Sequence, residues 1–372
     1  HLSIKIKSIT AFIVFTAELV CLIERIYQKS NKLNRLMSPM PNVARDKYQE
    51  NCLIDEVMLT NDIEGIYSTR REVIEAIESS KKNEKEKRFE GLVKKYVALS
   101  KNQGDSIKLK TCQDIRNLYN EIVLNEISEE NYPDGKYFRK DIVNVLSGTQ
   151  KEKHKGLYPE KVIIDNMEKS INLLDDSNLP DMVKIALFHY LIGYIHPFYD
   201  GNGRLSRFIT SCLLHKYLNP LVAFRITYTI KNNISEYYKG FDICNNEKNS
   251  GDLTPFVIIF LGFIENSIES MIERIRDGRL KLDYYWELLD KTTVELSKDA
   301  VSLLFIFVQN SLFSNESLSV DEIAKNMEKS TTTIRNLISY LIELGCPIEK
   351  IREGHKLLYH TELNQLEEFL KV

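Results

Sequence analysis

Apolar residues recur at intervals of three and four along almost the whole chain, and this period most limits the folds open to it. Residues 52–66, 69–77 and 89–99 carry the pattern, as do 112–124, 160–174, 181–195 and 204–217. Pro180 stands where the helix over 181–195 would begin, and Pro133, Asp134 and Gly135 spell a turn. Residues 254–275 are strongly apolar and predict the last helix of a central domain. The apolar stretch 9–23 is interrupted by Glu18 and too short to span a bilayer, so it predicts a core helix. Residues 142–157 break the period. There Val143 and Val145 alternate with polar neighbours before Ser147, Gly148 and Thr149, the pattern of a short β-hairpin.

The character changes again after about Asp283. Helices are expected over 301–313, 320–327 and 331–344, with Ser319 and Ser330 as caps and Gly345 as a stop. Two short apolar runs around Gly354 follow, within 348–359. Helix, turn, helix and hairpin resemble a winged helix-turn-helix module. The expected fold class is therefore mainly α with one hairpin, plus a small α+β winged domain. Three domains are expected: an N-terminal helical region over 1–88, a central domain over 89–282 and the winged domain over 283–372. The charge run 79–88 contains no apolar residue and reads as a solvated linker or exposed helix end.

Charge narrows the partners. Fifty Lys+Arg against 53 Asp+Glu in 372 residues give a net charge of −3, which argues against an overall nucleic-acid or membrane-surface binder. From Glu295 onward the chain has 8 basic and 12 acidic residues. Arg335, Asn336, Lys350, Arg352 and Lys356 are thin provision for a phosphate backbone, so protein contact or dimer support is favoured over DNA binding there. Cys21, Cys52, Cys112, Cys212, Cys244 and Cys346 show no CxxC and no close Cys/His pairing. They point to reduced thiols in a cytoplasmic protein. The chain begins at His1 rather than Met, so its native start is left open.

One segment concentrates the chemistry: His196, Pro197, Phe198, Tyr199, Asp200, Gly201, Asn202, Gly203, Arg204, Leu205, Ser206, Arg207. It reads as a helix end, a tight loop and a new helix start. Gly201 and Gly203 let a ligand approach the main chain, and N–H groups at the start of a helix form an anion site. Arg204 and Arg207, three apart, share a face and offer bidentate donors to phosphate oxygens. Asp200 adds a hard oxygen ligand suited to Mg²⁺ held jointly with phosphates. His196 titrates near neutrality and could take a proton from an attacking hydroxyl. No GxxxxGK[ST] pattern occurs, which excludes an ordinary P-loop nucleotide-triphosphatase.

These twelve residues match, without departure, the HPFx(D/E)GNGRxxR motif of the Fic family, and the resemblance extends over roughly residues 40–275. It implies a helical bundle with a β-hairpin flap and transfer of AMP from ATP to a Tyr, Thr or Ser hydroxyl of a target protein. By the same resemblance His196 would be the general base and Asp200 the Mg²⁺ ligand. Gly201, Asn202 and Gly203 would hold the α- and β-phosphates, Arg204 the β-phosphate and Arg207 the γ-phosphate, with Phe198 anchoring the loop. Gly rather than Lys at position 203 favours AMP transfer over phosphoryl transfer.

A second segment, Thr60-Asn61-Asp62-Ile63-Glu64-Gly65, resembles the family's inhibitory pattern (S/T)xxxE(G/N) and is followed by Thr69-Arg70-Arg71-Glu72. Thr60 and Glu64 are four apart, hence on one helical face. Glu64 would pair with Arg207 and deny it to the γ-phosphate. Some members with this arrangement also remove AMP, so an enzyme whose resting activity is removal stays open, as does a nucleotide-sensing DNA-binding regulator. The hairpin over 142–157 corresponds to the flap that would hold a target by strand addition, or it simply covers the core. Gly135-Lys136-Tyr137-Phe138-Arg139 resembles the Gly-x-Tyr/Phe-Arg lead-in with one extra aromatic. His154 is expected to be exposed and without chemistry, and His189 and His215 to be core or boundary residues. Self-modification and a homodimer are further expectations; a membrane is not.

Overall fold

The structure is a computed structural model that describes residues 1–82, 88–101, 107–146, 152–353 and 356–371. Part of the charge run (83–87), the hairpin tip with Ser147, Gly148 and Thr149, and Gly354 lie outside the described residues. The chain divides into two compact units, His1–Leu33 with Cys52–Ser270 and Asn34–Asn51 with Met271–Val372. This grouping differs from a division at 88 and 282, because the segment from Cys52 through α3 is grouped with the central helices.

The first unit opens with a two-stranded ladder, β1 (Lys5–Ile6) and β2 (Ile9–Thr10), in which Ile6 faces Ile9. Then come α1 (Ala17–Met37), α2 (Asn42–Ile63), α3 (Arg70–Lys82), α4 (Glu90–Ser100) and α5 (Cys112–Ile122). The hairpin strands β3 (Asn144–Leu146) and β4 (Glu152–Lys155) precede α6 (Glu160–Leu174), α7 (Asp181–Ile195), α8 (Asn202–Tyr217), α9 (Ile226–Asn232), α10 (Ile234–Cys244) and α11 (Thr254–Lys291). The apolar period is thus realised as helices at the expected places. The hairpin also forms, with Asn144 opposite Lys155 and a bulge between Val145 and Leu146.

Helix α7 forms the centre. Every residue in it except Asp181 and Gly193 is buried, as its apolar character on all sides demands. It packs against α6 and α8. A capping box between Thr111 and Asp114 starts α5, and Thr69 and Glu72 bond reciprocally at the start of α3.

Two expectations are corrected. Residues 9–23 are not one core helix: 9–10 are strand, 11–16 connect, and α1 starts only at Ala17, where Thr16 Oγ1 accepts the Leu19 N–H at 3.1 Å. The β-branched residues Ile9, Thr10, Ile13, Val14 and Thr16 favour extended backbone. That backbone is satisfied laterally, Phe12 N–H donating to Gly251 O at 3.0 Å and Leu253 N–H to Phe12 O at 2.9 Å. Helix α11 does not end near 275 but runs through Asp283 to Lys291, a stretch with no proline to stop it. By length and composition it could cross a bilayer, yet 56% of its apolar window is buried inside the protein.

The second unit holds α12 (Lys298–Phe313), β5 (Leu318–Ser319), α13 (Val320–Met327), α14 (Thr331–Glu343), β6 (Ile348–Glu353), β7 (Lys356–Thr361) and α15 (Leu363–Leu370). Ser319 and Glu322 form a capping box on α13, Ser330 caps α14, and Gly345 at φ +90° follows the end of α14. The strands order as β5-β7-β6, all antiparallel, which completes a winged helix-turn-helix.

One buried carboxylate ties the first unit together. Glu56 on α2 accepts the Thr227 N–H at 3.1 Å and the Thr227 hydroxyl at the start of α9, and the Tyr96 hydroxyl of α4 at 3.3 Å. Burial pushes its carboxyl up to about 7, against those hydrogen bonds and the nearby Arg207. A carboxyl whose folded pKa is raised binds its proton more tightly when folded. Its contribution is therefore fully present below about 4.5 and lost as pH rises toward 7. Chemical denaturation between pH 5 and 7.5 should show stability falling by up to ~3 kcal/mol. Glu56→Gln should flatten part of that slope, and an identical slope in the variant would refute the assignment.

Candidate active site

The catalytic motif spans the junction of α7 and α8. His196 ends α7 in the left-handed region, φ 51° and ψ 64°, a conformation that a non-glycine residue holds only when its surroundings enforce it. Arg139 does the enforcing. Its Nε donates to His196 O at 2.8 Å, Nη2 to Leu157 O at 2.9 Å and Nη1 to Asp141 O, while its own N–H donates to Pro197 O at 3.1 Å. The lead-in arginine thus fastens the entry to the hairpin onto the catalytic loop, despite the extra aromatic before it.

Phe198 is fully buried, stacked on Tyr119 at 3.6 Å between ring centroids and edge-on to Phe138 at 5.5 Å. The Asn202 side chain accepts the Phe198 N–H at 2.9 Å and donates to Phe198 O at 2.8 Å. That amide clamps the loop, which leaves main-chain N–H groups to face an anion. Gly201 caps α8 at φ +76°, and the helix receives no side-chain cap hydrogen bond at this positive end of its dipole. Asp200 is half-exposed, with Oδ1 accepting the Gly201 N–H and lying 3.8 Å from Arg204 Nη2.

Arg139, Arg204 and Arg207 are the largest fully buried side chains among the described residues. Arg204 Nη1 donates to Glu126 Oε2 at 2.9 Å, whereas its Nε and Nη2 have no hydrogen-bond partner among the described residues. Burial raises the Glu126 carboxyl to about 7, opposed by Arg204 and Arg88. Arg207 is satisfied differently: Nε donates to Thr60 Oγ1 at 2.6 Å, and Nη2 donates to Thr60 O at 2.9 Å and Glu64 Oε1 at 2.6 Å. Burial, the largest influence, would lower its pKa, but Glu64 together with Tyr237 and Tyr96 turns the net shift upward.

Thr60 and Glu64 therefore meet Arg207 together, with one difference from simple helical spacing. Helix α2 ends at Ile63, Gly65 follows at φ +73°, and the Ile66 N–H returns to Asn61 O at 3.0 Å. Glu64 is thus at the cap, and Arg207 receives both its carboxylate and a carbonyl from the helix's negative end. Glu64 also lies directly over Gly203: a β-carbon there would overlap Glu64 Oε1 and sit 2.9 Å from Arg207 Nη1.

Beneath α8, His189 is enclosed. Nδ1 lies 2.8 Å from Thr210 Oγ1 and 3.1 Å from Ser206 Oγ, and Nε2 lies 2.8 Å from the Tyr237 hydroxyl. Burial, then Arg207, pushes its pKa down to about 3, so it is a neutral core residue as expected. His215 is half-buried at the end of α8, and the side chain of His154 lies outside what is described. Glu126 was missed by sequence reasoning: it stands 78 residues before Arg204 in an unremarkable polar run, and no spacing rule reaches that far.

Comparison with known proteins agrees with this geometry. Residues 110–214 match the Fic/DOC family, and residues 308–356 match a helix-turn-helix domain. A protein adenylyltransferase Fic from Nematostella vectensis is 30% identical over 115 residues, which cover 29% of this chain and 25% of that protein. One from Drosophila willistoni is 30% identical over 142 residues, 38% of this chain and 26% of that protein. The chain thus matches about a quarter of the length of these curated relatives. A Fic family protein from Desulfovibrio desulfuricans G20 shares the fold, with TM-score 0.57 and 17% identity over 95% of this chain and 98% of that one. The motif, the buried arginines beside it and these matches agree that residues 110–214 are similar to Fic/DOC family domains and residues 308–356 to a helix-turn-helix domain.

Proposed function

We propose that the protein is an autoinhibited adenylyltransferase that moves AMP from ATP to a hydroxyl side chain of a protein target. The observation carrying this reading is the 2.6 Å pair between Glu64 and Arg207, set over Gly203 at the open start of α8. Arg207 and the unpartnered edge of Arg204 suit a polyphosphate, and the N–H groups of Asn202 and Gly203 at the start of α8 complete an anion cradle beside the Gly201 N–H that Asp200 holds. The half-exposed Asp200 carboxylate beside that cradle fits Mg²⁺, which supplies charge neutralisation for the leaving pyrophosphate when bound.

In the reaction the acceptor hydroxyl attacks the α-phosphorus as the bond to pyrophosphate breaks, and His196 takes the hydroxyl proton. The chain contributes position and charge: Arg139 holds the His196 backbone, while α8 and Arg204 hold phosphate oxygens. The hairpin β3–β4 offers an edge on which an extended target segment can lie. Glu64 keeps the γ-phosphate from Arg207 in the resting enzyme. Six unbridged thiols, five of them buried, support a cytoplasmic setting.

Intact-mass spectrometry after incubation with ATP and Mg²⁺ tests this. Glu64→Gly should raise AMP transfer or self-modification at least about tenfold, equivalent to ~1.4 kcal/mol, and adding His196→Ala should abolish it. An unchanged rate in Glu64→Gly would remove the autoinhibition; no transfer in any variant would remove the activity.

A second reading concerns the winged unit. Helix α14 exposes Thr332, Thr333, Arg335, Asn336 and Ser339 on one face, side chains able to read base edges, and the wing exposes Lys350, Arg352 and Lys356. We propose that this face is the contact for DNA. Fluorescence anisotropy with a mixed-sequence duplex should show binding that weakens steeply with salt and drops in Arg335→Ala. Absence of binding at low salt would return the unit to protein contact.

A further inference from the structure

Glu126 and Arg204 form a buried pair that the catalytic motif does not contain. Arg204 is fully enclosed, yet only Nη1 is bonded, to Glu126 at 2.9 Å. Its Nε and Nη2 edge has no hydrogen-bond partner, and Asp200 Oδ1 stands off at 3.8 Å. A buried guanidinium with two unsatisfied donors is costly unless a ligand completes it. The edge left open lies in the first turn of α8, where the helix start receives no side-chain cap.

The segment carrying Glu126 is seated on the loop by two further contacts. Val123, buried, occupies the space that a side chain on Gly201 would fill, and Tyr119 donates to Asp200 O at 3.0 Å while stacking on Phe198. The short 3₁₀ turn Leu124–Glu126 follows directly, so the carboxylate is delivered from a fixed base. Glu126 therefore engages Arg204 at Nη1 and leaves Nε and Nη2 unoccupied.

We propose that Glu126 is a positioning residue for nucleotide binding: it tethers Arg204 by Nη1 and so presents the Nε/Nη2 edge, already desolvated, to a phosphate beyond the first. The proposal rests on the reading in which Arg204 takes a nucleotide phosphate. Without the tether, the guanidinium turns to the nearest remaining carboxylate, Asp200, and the edge is lost to the ligand.

Calorimetric titration of ADP and of AMP into the Glu64→Gly protein tests this. Adding Glu126→Ala should weaken ADP by about tenfold while AMP stays within about twofold. Adding Glu126→Gln, whose amide oxygen still accepts from Nη1, should restore ADP affinity to within about twofold of the Glu64→Gly protein or better. Unchanged or tightened ADP binding in the alanine variant would overturn the proposal, the latter because Glu126 would then be a competitor. So would equal weakening of AMP, or a glutamine variant as weak as alanine. AMP transfer in the Glu64→Gly protein is read separately by mass. Its absence there, with ADP binding split as expected, overturns the enzymatic reading and leaves the positioning role standing.

Discussion

Three buried guanidinium groups set the terms for this site. A cation removed from water must be compensated where it stands, and Arg139, Arg204 and Arg207 are compensated in three different ways. Arg139 has carbonyl oxygens only, from His196, Asp141 and Leu157, and burial lowers its pKa. It is a structural staple, with its donors fully engaged by the loop. Arg207 has a carboxylate, a hydroxyl and a helix-end carbonyl, all on its Nε and Nη2 groups. Arg204 has one carboxylate and an open edge. The same side chain thus serves as scaffold, as lock and as waiting ligand site, and the difference lies wholly in what faces it.

Distance along the chain separates what was legible from what was not. The His196–Arg207 motif is contiguous, and its loop geometry follows from local rules: glycine at φ +76° before a helix, asparagine clamping Phe198, arginines three apart. Thr60 and Glu64 were legible as a pair because four residues make one helical turn. That they meet Arg207, 147 and 143 residues away, came only through resemblance and is visible physically only in the fold. Glu56 and Glu126 had neither route. Each is a lone glutamate, and its burial is decided by tertiary packing, of α2 against α4 and α9 in one case and of the 3₁₀ turn against α8 in the other.

The two misread segments fail for the same kind of reason. Apolar content in residues 9–23 was taken as helical, but β-branched residues and a lateral partner at Gly251–Leu253 made the first half extended. In α11 the change of composition near Asp283 was taken as a boundary. A helix ends on a stop signal rather than on a change in polarity, and none occurs before Lys291. Helix α9, seven residues long, is too short to establish a period by itself.

If the Glu64–Arg207 pair inhibits as proposed, its burial limits how it can open. Removing Glu64 without replacing it would leave a wholly buried cation with Thr60 alone, which is more costly than either paired state. The favourable path is therefore exchange, in which an incoming phosphate takes the Nη edge as the carboxylate leaves. Gly203 makes the two occupants mutually exclusive, since Glu64 Oε1 already fills the space immediately above its α-carbon. Glu64, unlike Arg207, is partly exposed and sits at a helix cap rather than within the helix, so it can swing out without unwinding α2. In the proposed function the partly exposed acid is therefore the partner to move and the buried arginine the one to stay, the order that leaves a nucleotide site intact once the acid has gone.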